Sequence, residues 1–289
     1  MITITRILCL ILVLSSTVFA QPKAYNLFNN KGKEVAYSKM IKDLEQADIV
    51  FFGELHNNPI CHWLQLEVTR DLYAKEIQNL VLGAEMFETD NQLLLNEYIE
   101  NFISEKSFEQ EARLWPNYKT DYKSIVSFAK ENSLGFIATN VPRRYASSVF
   151  RNGLEKLDQL PEYSKVFIAP LPIKEDYDLP CYKKMLEMDM HGMTENPKYY
   201  PQAQMIKDAT MAHFIYGNWS EGELFLHFNG NFHSDNKEGI VWYLRQLKPD
   251  LKIVVISTVE QERVDKLDQD HVNKADYILT IPERMTKTY

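Results

Sequence analysis

Short runs that are apolar on both faces, separated by stretches with helical patterning, limit how this chain can fold more than any other feature. Asp48-Ile49-Val50-Phe51-Phe52 is the clearest, ending in Gly53 with Pro59 standing where a helix would begin. A helix is expected from there to about residue 75. Further buried strands are expected over 79–84, 135–139, 223–228, 251–257 and 277–280, with helices over 92–102, 122–131, 199–216 and 239–246. Strands that show no polar face must be covered on both sides, so the chain reads as an α/β fold, a mostly parallel sheet flanked by helices. Residues 145–200 break the rhythm with Pro161, Pro170, Pro172, Pro180 and Pro197, and Val166-Phe167-Ile168 is the one run there resembling a strand. That stretch is expected to be a smaller helical insertion within a single domain over 21–289.

The chain opens with Arg6, an apolar stretch from Ile7 to Phe19, and then Val18-Phe19-Ala20 before Gln21. This is the pattern of a signal peptide over 1–20, cleaved near Ala20. The apolar run is shorter than the roughly 20 residues needed to cross a bilayer. No cysteine follows the cleavage point, so a lipid anchor is not expected, and the mature protein reads as exported, periplasmic or secreted. A net charge of −8 argues against a nucleic-acid partner, which would favour clustered basic surface. Cys61 and Cys181 remain after cleavage, too few for a disulfide framework and without zinc spacing.

Two tetrapeptides, Gly53-Glu54-Leu55-His56 and Gly230-Asn231-Phe232-His233, each follow an expected strand and precede an expected helix. Glycine permits the tight turn, and the histidine then stands at the carboxyl edge of the sheet, where open α/β sheets bind ligands. Helix N-termini aimed at the same edge favour an anion. Glu54, Glu85, Asn140 and Arg143 come at or just after strand ends, while Gln204 and Asp208 share one face of the 199–216 helix. These residues suit a ligand site, and they equally suit a structural polar network. His62 projects from the helix after the first turn. The 145–200 stretch carries Tyr177, Tyr182, His191, Tyr199 and Tyr200 among several methionines, residue types that serve as haem ligands and also fill cores.

Taken in order, Gly53-Glu54-Leu55-His56-Asn57-Asn58-Pro59, His62 and Gln65, Glu85-Met86, Asn140 with Pro142-Arg143, Ala203-Gln204 with Lys207-Asp208-Ala209-Thr210-Met211-Ala212, and Gly230-Asn231-Phe232-His233 resemble the ChaN-like haem-binding uptake family of the Tiki superfamily. The resemblance spans about residues 48–280. It implies an exported haem-binding protein of iron acquisition, with an α/β core and a smaller helical subdomain, and it raises a homodimer or an outer-membrane uptake partner. The family's members are often lipid-anchored, and the missing lipobox cysteine departs from that pattern. Two chemistries follow. Under the first, haem is the cofactor, bound by His62, Arg143, Tyr177, Tyr182, His191, Tyr199 or Tyr200. Under the second, raised by relatives resembling metal-dependent peptidases, His56, His233, Glu54 and Glu85 hold zinc, manganese or cobalt, and the two glutamates are catalytic in a hydrolase. Asn140, Gln204 and Asp208 would support either arrangement.

The mature chain is expected to begin at or near Gln21, which N-terminal sequencing of the exported protein checks. A mature form retaining Met1, or one carrying lipid, contradicts that reading.

Overall fold

A computed structural model of the chain describes residues 22–75, 79–188 and 196–289. The expected signal peptide and His191 lie outside the described residues. In chain order the elements are β1 (Asn26–Asn29), α1 (Tyr37–Leu44), β2 (Ile49–Glu54), α2 (Pro59–Ala74), β3 (Leu80–Glu88), α3 (Gln92–Ile99), α4 (Glu105–Glu111), α5 (Lys123–Glu131) and β4 (Phe136–Asn140). They continue with α6 (Arg143–Asn152), α7 (Glu162–Lys165), α8 (Pro180–Leu186), α9 (Tyr199–Gly217), β5 (Leu224–Gly230), α10 (Ile240–Leu247), β6 (Ile253–Gln261) and β7 (Tyr277–Pro282).

The seven strands form one sheet in the order β1-β7-β6-β2-β5-β3-β4. Every pairing is parallel except that of β1 with β7 at one edge. Alternate residues of each central strand feed opposite cores. Val50 and Phe52 pack with Met40 of α1, Leu64 and Val68 of α2, Leu95 of α3 and Val126 of α5. Ile49 and Phe51 pack on the other side with Val149 of α6, Tyr182 of α8, Met205 and Met211 of α9 and Leu244 of α10. Helices α1–α5 therefore cover one face and α6–α10 the other. No helix of the described residues is long and apolar enough to cross a membrane.

Strands β2 and β5 are neighbours, yet the chain leaves β2 toward α2 on one face and leaves β5 toward α10 on the other. This reversal opens a crevice beyond the strand ends, the usual ligand position in such sheets. Register pairs Gly53 with Asn229 and Glu54 with Gly230, which brings the two Gly-x-x-His turns side by side. On the far side of β5, β3 slips against β4 between Ala84 and Glu88. Such an irregularity re-aims side chains, and Glu85 lies within it.

Several local expectations change. The 92–102 helix stops at Ile99 because Asn101 takes the left-handed conformation, φ 66°. The helix expected from 122 starts at Lys123, after a π turn over Tyr118–Tyr122. Val166-Phe167-Ile168 forms no strand, since it follows the single turn of α7 and has no strand beside it to pair with. Residues 143–186 instead form α6, α7, α8 and a 3-10 turn over Leu154–Gln159. Cys61 and Cys181 are both buried free thiols belonging to the cores on opposite faces of the sheet, so they do not pair.

Gly53 is fixed by close approach rather than by unusual φ. A Cβ there would meet the Asn231 Cα at 2.9 Å and the Ile256 carbonyl at 3.0 Å, both backbone atoms that cannot swing away. Gly53→Ala is expected to lower unfolding free energy by about 1–3 kcal/mol through overpacking. Gly217→Ala, where nothing lies within 4 Å of the added carbon, is expected to leave it unchanged or slightly raised. Denaturant melts of the two variants check the contrast.

Candidate functional site

The chemistry collects where β2, β3, β4 and β5 end. Glu54, the last residue of β2, is fully buried, and a carboxylate there needs donors. It has three. Tyr122 donates its hydroxyl to Oε1 at 2.7 Å, His56 Nδ1 lies 2.8 Å from the same oxygen, and the Gln65 amide donates to Oε2. Burial alone would raise the Glu54 pKa; the His56 hydrogen bond and the nearby charge of His62 outweigh it and hold the carboxyl below its usual range. Burial likewise works to lower the pKa of His56, but Glu54 and Glu85 raise it above its ordinary value.

On β3, Glu85 accepts the Gly230 backbone N–H at 2.7 Å through Oε2 and stands 3.2 Å from His233 Nε2 through Oε1. His233 closes a 3-10 turn over Asn231–His233, and its Nδ1 faces Asp208 Oδ1 at 2.5 Å. Asp208 in turn receives the Tyr182 hydroxyl at 2.6 Å. Burial opposes the His233 charge, yet the flanking Glu85 and Asp208 carboxylates prevail and push its pKa up to about 10. The Glu85 carboxyl is held far below the usual range, burial being outweighed by His233. A histidinium between two carboxylates thus forms the innermost layer. The Gln204 amide lies against its ring, 2.9 Å from Nδ1.

The two turns touch through Gly230. A Cβ at that position would fall 2.7 Å from His56 Nε2, so glycine is what admits the imidazole. The expected convergence of strand ends is observed, and Asn140 completes it by donating from Nδ2 to the Glu85 carbonyl at 2.9 Å. A cleft of about 500 Å³ opens above this floor, lined by His56, Glu85, Asn140, Gln204 and His233. Its walls are Trp115, Val141, Ala146, Phe150 and Tyr200, with Arg143 and Lys207 as the cations. A second cavity of about 810 Å³ adjoins it, sharing Glu88, Trp115, Arg143 and Ser147.

Of the expected haem-binding residues, Arg143 and Tyr200 line the cleft. His62 does not: it is buried behind it, with Nδ1 3.1 Å from Gln65 Oε1 and Nε2 3.1 Å from the His56 carbonyl. Tyr182 is wholly buried beneath Asp208. Tyr177 bonds Glu175 and Gln202 away from the cleft, and Tyr199 packs on Gly153. Trp115, Phe150 and Lys207 were not singled out from sequence alone as site residues, and neither were Tyr122 and Asn117, which hold the His56 loop. All but Phe150, which α6 carries after β4, lie where no strand precedes, so only the fold marks them. The expected metal set fares differently. Glu54 is taken up by His56, Tyr122 and Gln65, and Glu85 and His233 by each other, Asp208 and the Gly230 backbone, and among the described residues no group of three or more such side chains is arranged to hold a metal ion.

Sign and window follow from these shifts. The raised pKa of His233 makes its contribution to stability full below about 6.5 and lost as pH climbs toward about 10. The lowered pKa of Glu85 makes its contribution full above about 4.5 and lost in acid. The melting temperature is therefore expected to fall as pH rises from 6.5 to 10. Asp208→Ala, which strands both His233 and Tyr182, is expected to cost about 3–5 kcal/mol and to flatten that alkaline decline, as thermal melts across pH would show.

A family model described as haem-binding uptake, Tiki superfamily, ChaN, matches residues 40–244. Among solved structures, one of cofacial haem binding to ChaN of Campylobacter jejuni aligns with a TM-score of 0.67 at 18% identity, over 88% of this chain and 96% of that one, which shows a shared fold. A Bacillus cereus protein, 13% identical, aligns over 84% of this chain and 90% of its own with a TM-score of 0.49. A succinoglycan biosynthesis protein, also 13% identical, covers the same shares with a TM-score of 0.48. No curated protein sequence gives a significant match. By the extent of the family match, the chain belongs to the haem-binding uptake family of the Tiki superfamily, the family of ChaN.

Proposed function

We propose that this chain is an exported haem-binding protein serving haem or iron uptake, and that haem occupies the cleft at the strand ends. The observation that carries the reading is the pair of cations, Arg143 and Lys207, on a wall that is mainly aromatic and aliphatic and otherwise adds Ser147 and Glu88, the latter paired with Arg113. Arg143 and Lys207 make no ion pair among the described residues, although the chain as a whole is acidic. Arg143 and Arg144 also occupy the first turn of α6, where the helix dipole disfavours positive charge. Arg144 is compensated by Asp90 at 2.5 Å. Arg143 is left for an anion, as the propionates of haem would supply, while Trp115, Phe150 and Tyr200 suit the faces of a tetrapyrrole. The cleft volume lies within the range of about 300–1,000 Å³ usual for small-molecule sites.

Tyr200 is the tyrosine lining the cleft, and its phenol is the candidate iron ligand. The cofacial haem bound by ChaN of Campylobacter jejuni supports haem as the occupant. Delivery to or from an outer-membrane partner, and pairing with a second copy, belong to the same uptake reading. The metal-dependent hydrolytic alternative finds no support, since among the described residues no group of three or more metal-ligating side chains is arranged to hold an ion.

Titration of purified protein with hemin is expected to give a Soret shift that saturates near one equivalent. Tyr200→Phe is expected to change the spectrum. Arg143→Ala and Lys207→Ala each weaken binding roughly tenfold or more, the worth of a charge-assisted hydrogen bond, whereas His271→Ala leaves it unaltered. A spectrum matching that of hemin with an unrelated acidic protein refutes the assignment.

A further inference from the structure

Because β7 runs parallel to β6, and β6 to β2, the chain leaves β7 at the same sheet edge on which the cleft opens. The segment from Glu283 onward starts across the end of β6, where the Glu283 N–H donates to the Gln261 carbonyl at 3.1 Å, and Met285 packs against the core on the α1–α5 face. Lys287 and Thr288 then reach the loop between β2 and α2, the loop that carries His56.

Their grip on that loop is threefold. The Thr288 N–H donates to the Asn57 carbonyl at 2.9 Å. The Thr288 hydroxyl donates at 2.9 Å to Oδ2 of Asp121, a carboxylate buried in the π turn. The same oxygen accepts the Asn117 amide at 2.7 Å, and that amide also donates to the His56 carbonyl at 3.0 Å. Lys287 pairs with Glu260 of β6, which accepts the Asn58 amide at 2.9 Å. Three consecutive residues, His56, Asn57 and Asn58, are thus tied to two residues far along the sequence. The π turn beneath has few bonds to spare, since Asn117 Oδ1 and the Tyr118 hydroxyl are buried without a hydrogen-bond partner among the described residues. The segment itself is light. Glu283, Arg284, Thr286 and Tyr289 are exposed and Met285 is its one contact with the core, so it opens more cheaply than the sheet or the helices.

We propose that residues 285–288 are a strap that positions His56 in the cleft floor and so sets ligand affinity, with Thr288 acting through Asp121 and Asn117. The inference rests on the haem reading of that cleft. With the strap seated, the backbone at His56 is braced and its imidazole, which lines the cleft, stands in one place beside Gly230. With the strap lifted, that part of the floor must be ordered as the ligand binds, and the ordering subtracts from affinity.

Hemin titrations of the full chain test this with Thr288→Val and Thr288→Ser. Thr288→Val removes the hydroxyl and keeps the shape; it is expected to weaken hemin binding about 2–30-fold while the melting temperature stays near that of wild type. Thr288→Ser supplies the hydroxyl again and is expected to restore the affinity. In a His56→Ala background, Thr288→Val is expected to add nothing, whereas a general loss of stability would act in both backgrounds alike. Equal affinity in wild type and Thr288→Val, or the same loss with and without His56, overturns the strap. If wild type itself fails to bind hemin, the haem assignment falls, and the His56 ring-proton resonances of ligand-free protein decide the strap on their own. They are expected to shift or broaden in Thr288→Val and to recover in Thr288→Ser, and superimposable spectra refute it.

Discussion

The parallel pairing of β2 with β5 is the constraint on which the site depends. It sets Glu54 opposite Gly230, so two turns far apart in sequence open onto one crevice. The chain leaves these strands toward opposite faces, and among the described residues a cleft remains open above the gap between them. Everything polar in the site hangs from this register. A slip by one residue would send Glu54 into one of the apolar cores.

That register explains why the site tolerates so much buried charge. Each ionised group finds its hydrogen-bond partners on other elements: Glu54 of β2 meets Gln65 of α2 and Tyr122 of the π turn before α5, while Glu85 of β3 meets the β5 backbone and His233. The network ties the two helical layers together through the sheet edge. Its energetic role is less to add stability than to make one arrangement of strand ends preferable to others.

Much of this was legible in the sequence because the sheet is mostly parallel and covered on both sides, which makes the first halves of β2 to β7 largely apolar and easily seen. The edge strand Asn26–Asn29 escapes the same reading: it is four residues long, begins and ends in asparagine, and gains its strand character only from antiparallel pairing with β7. The Glu54, Glu85, His56, His233 and Asn140 cluster was legible because position after a strand fixes the edge at which a residue emerges. Gln204 and Asp208 were legible from helical spacing. Depth is what sequence does not carry. His62, Tyr182 and Tyr200 all looked like haem contacts, and only Tyr200 faces the cleft, since whether a tyrosine lies beneath an aspartate or beside a cavity depends on how α8 and α9 pack. Trp115 lies in irregular chain between α4 and the π turn, where no periodicity marks it.

The hydroxyl of Tyr182 gives the molecule a property beyond the geometry of its cleft. Helix α8 contributes nothing to the lining, yet through Tyr182 and Asp208 it is hydrogen-bonded to the charge on His233. Linkage makes that connection run both ways. A ligand that favours the protonated form of His233 also favours the docked position of α8, and any contact that pulls α8 from its seat weakens what the cleft holds. Helix α8 is thereby coupled to the charge at the cleft floor, although none of its residues lines the cleft.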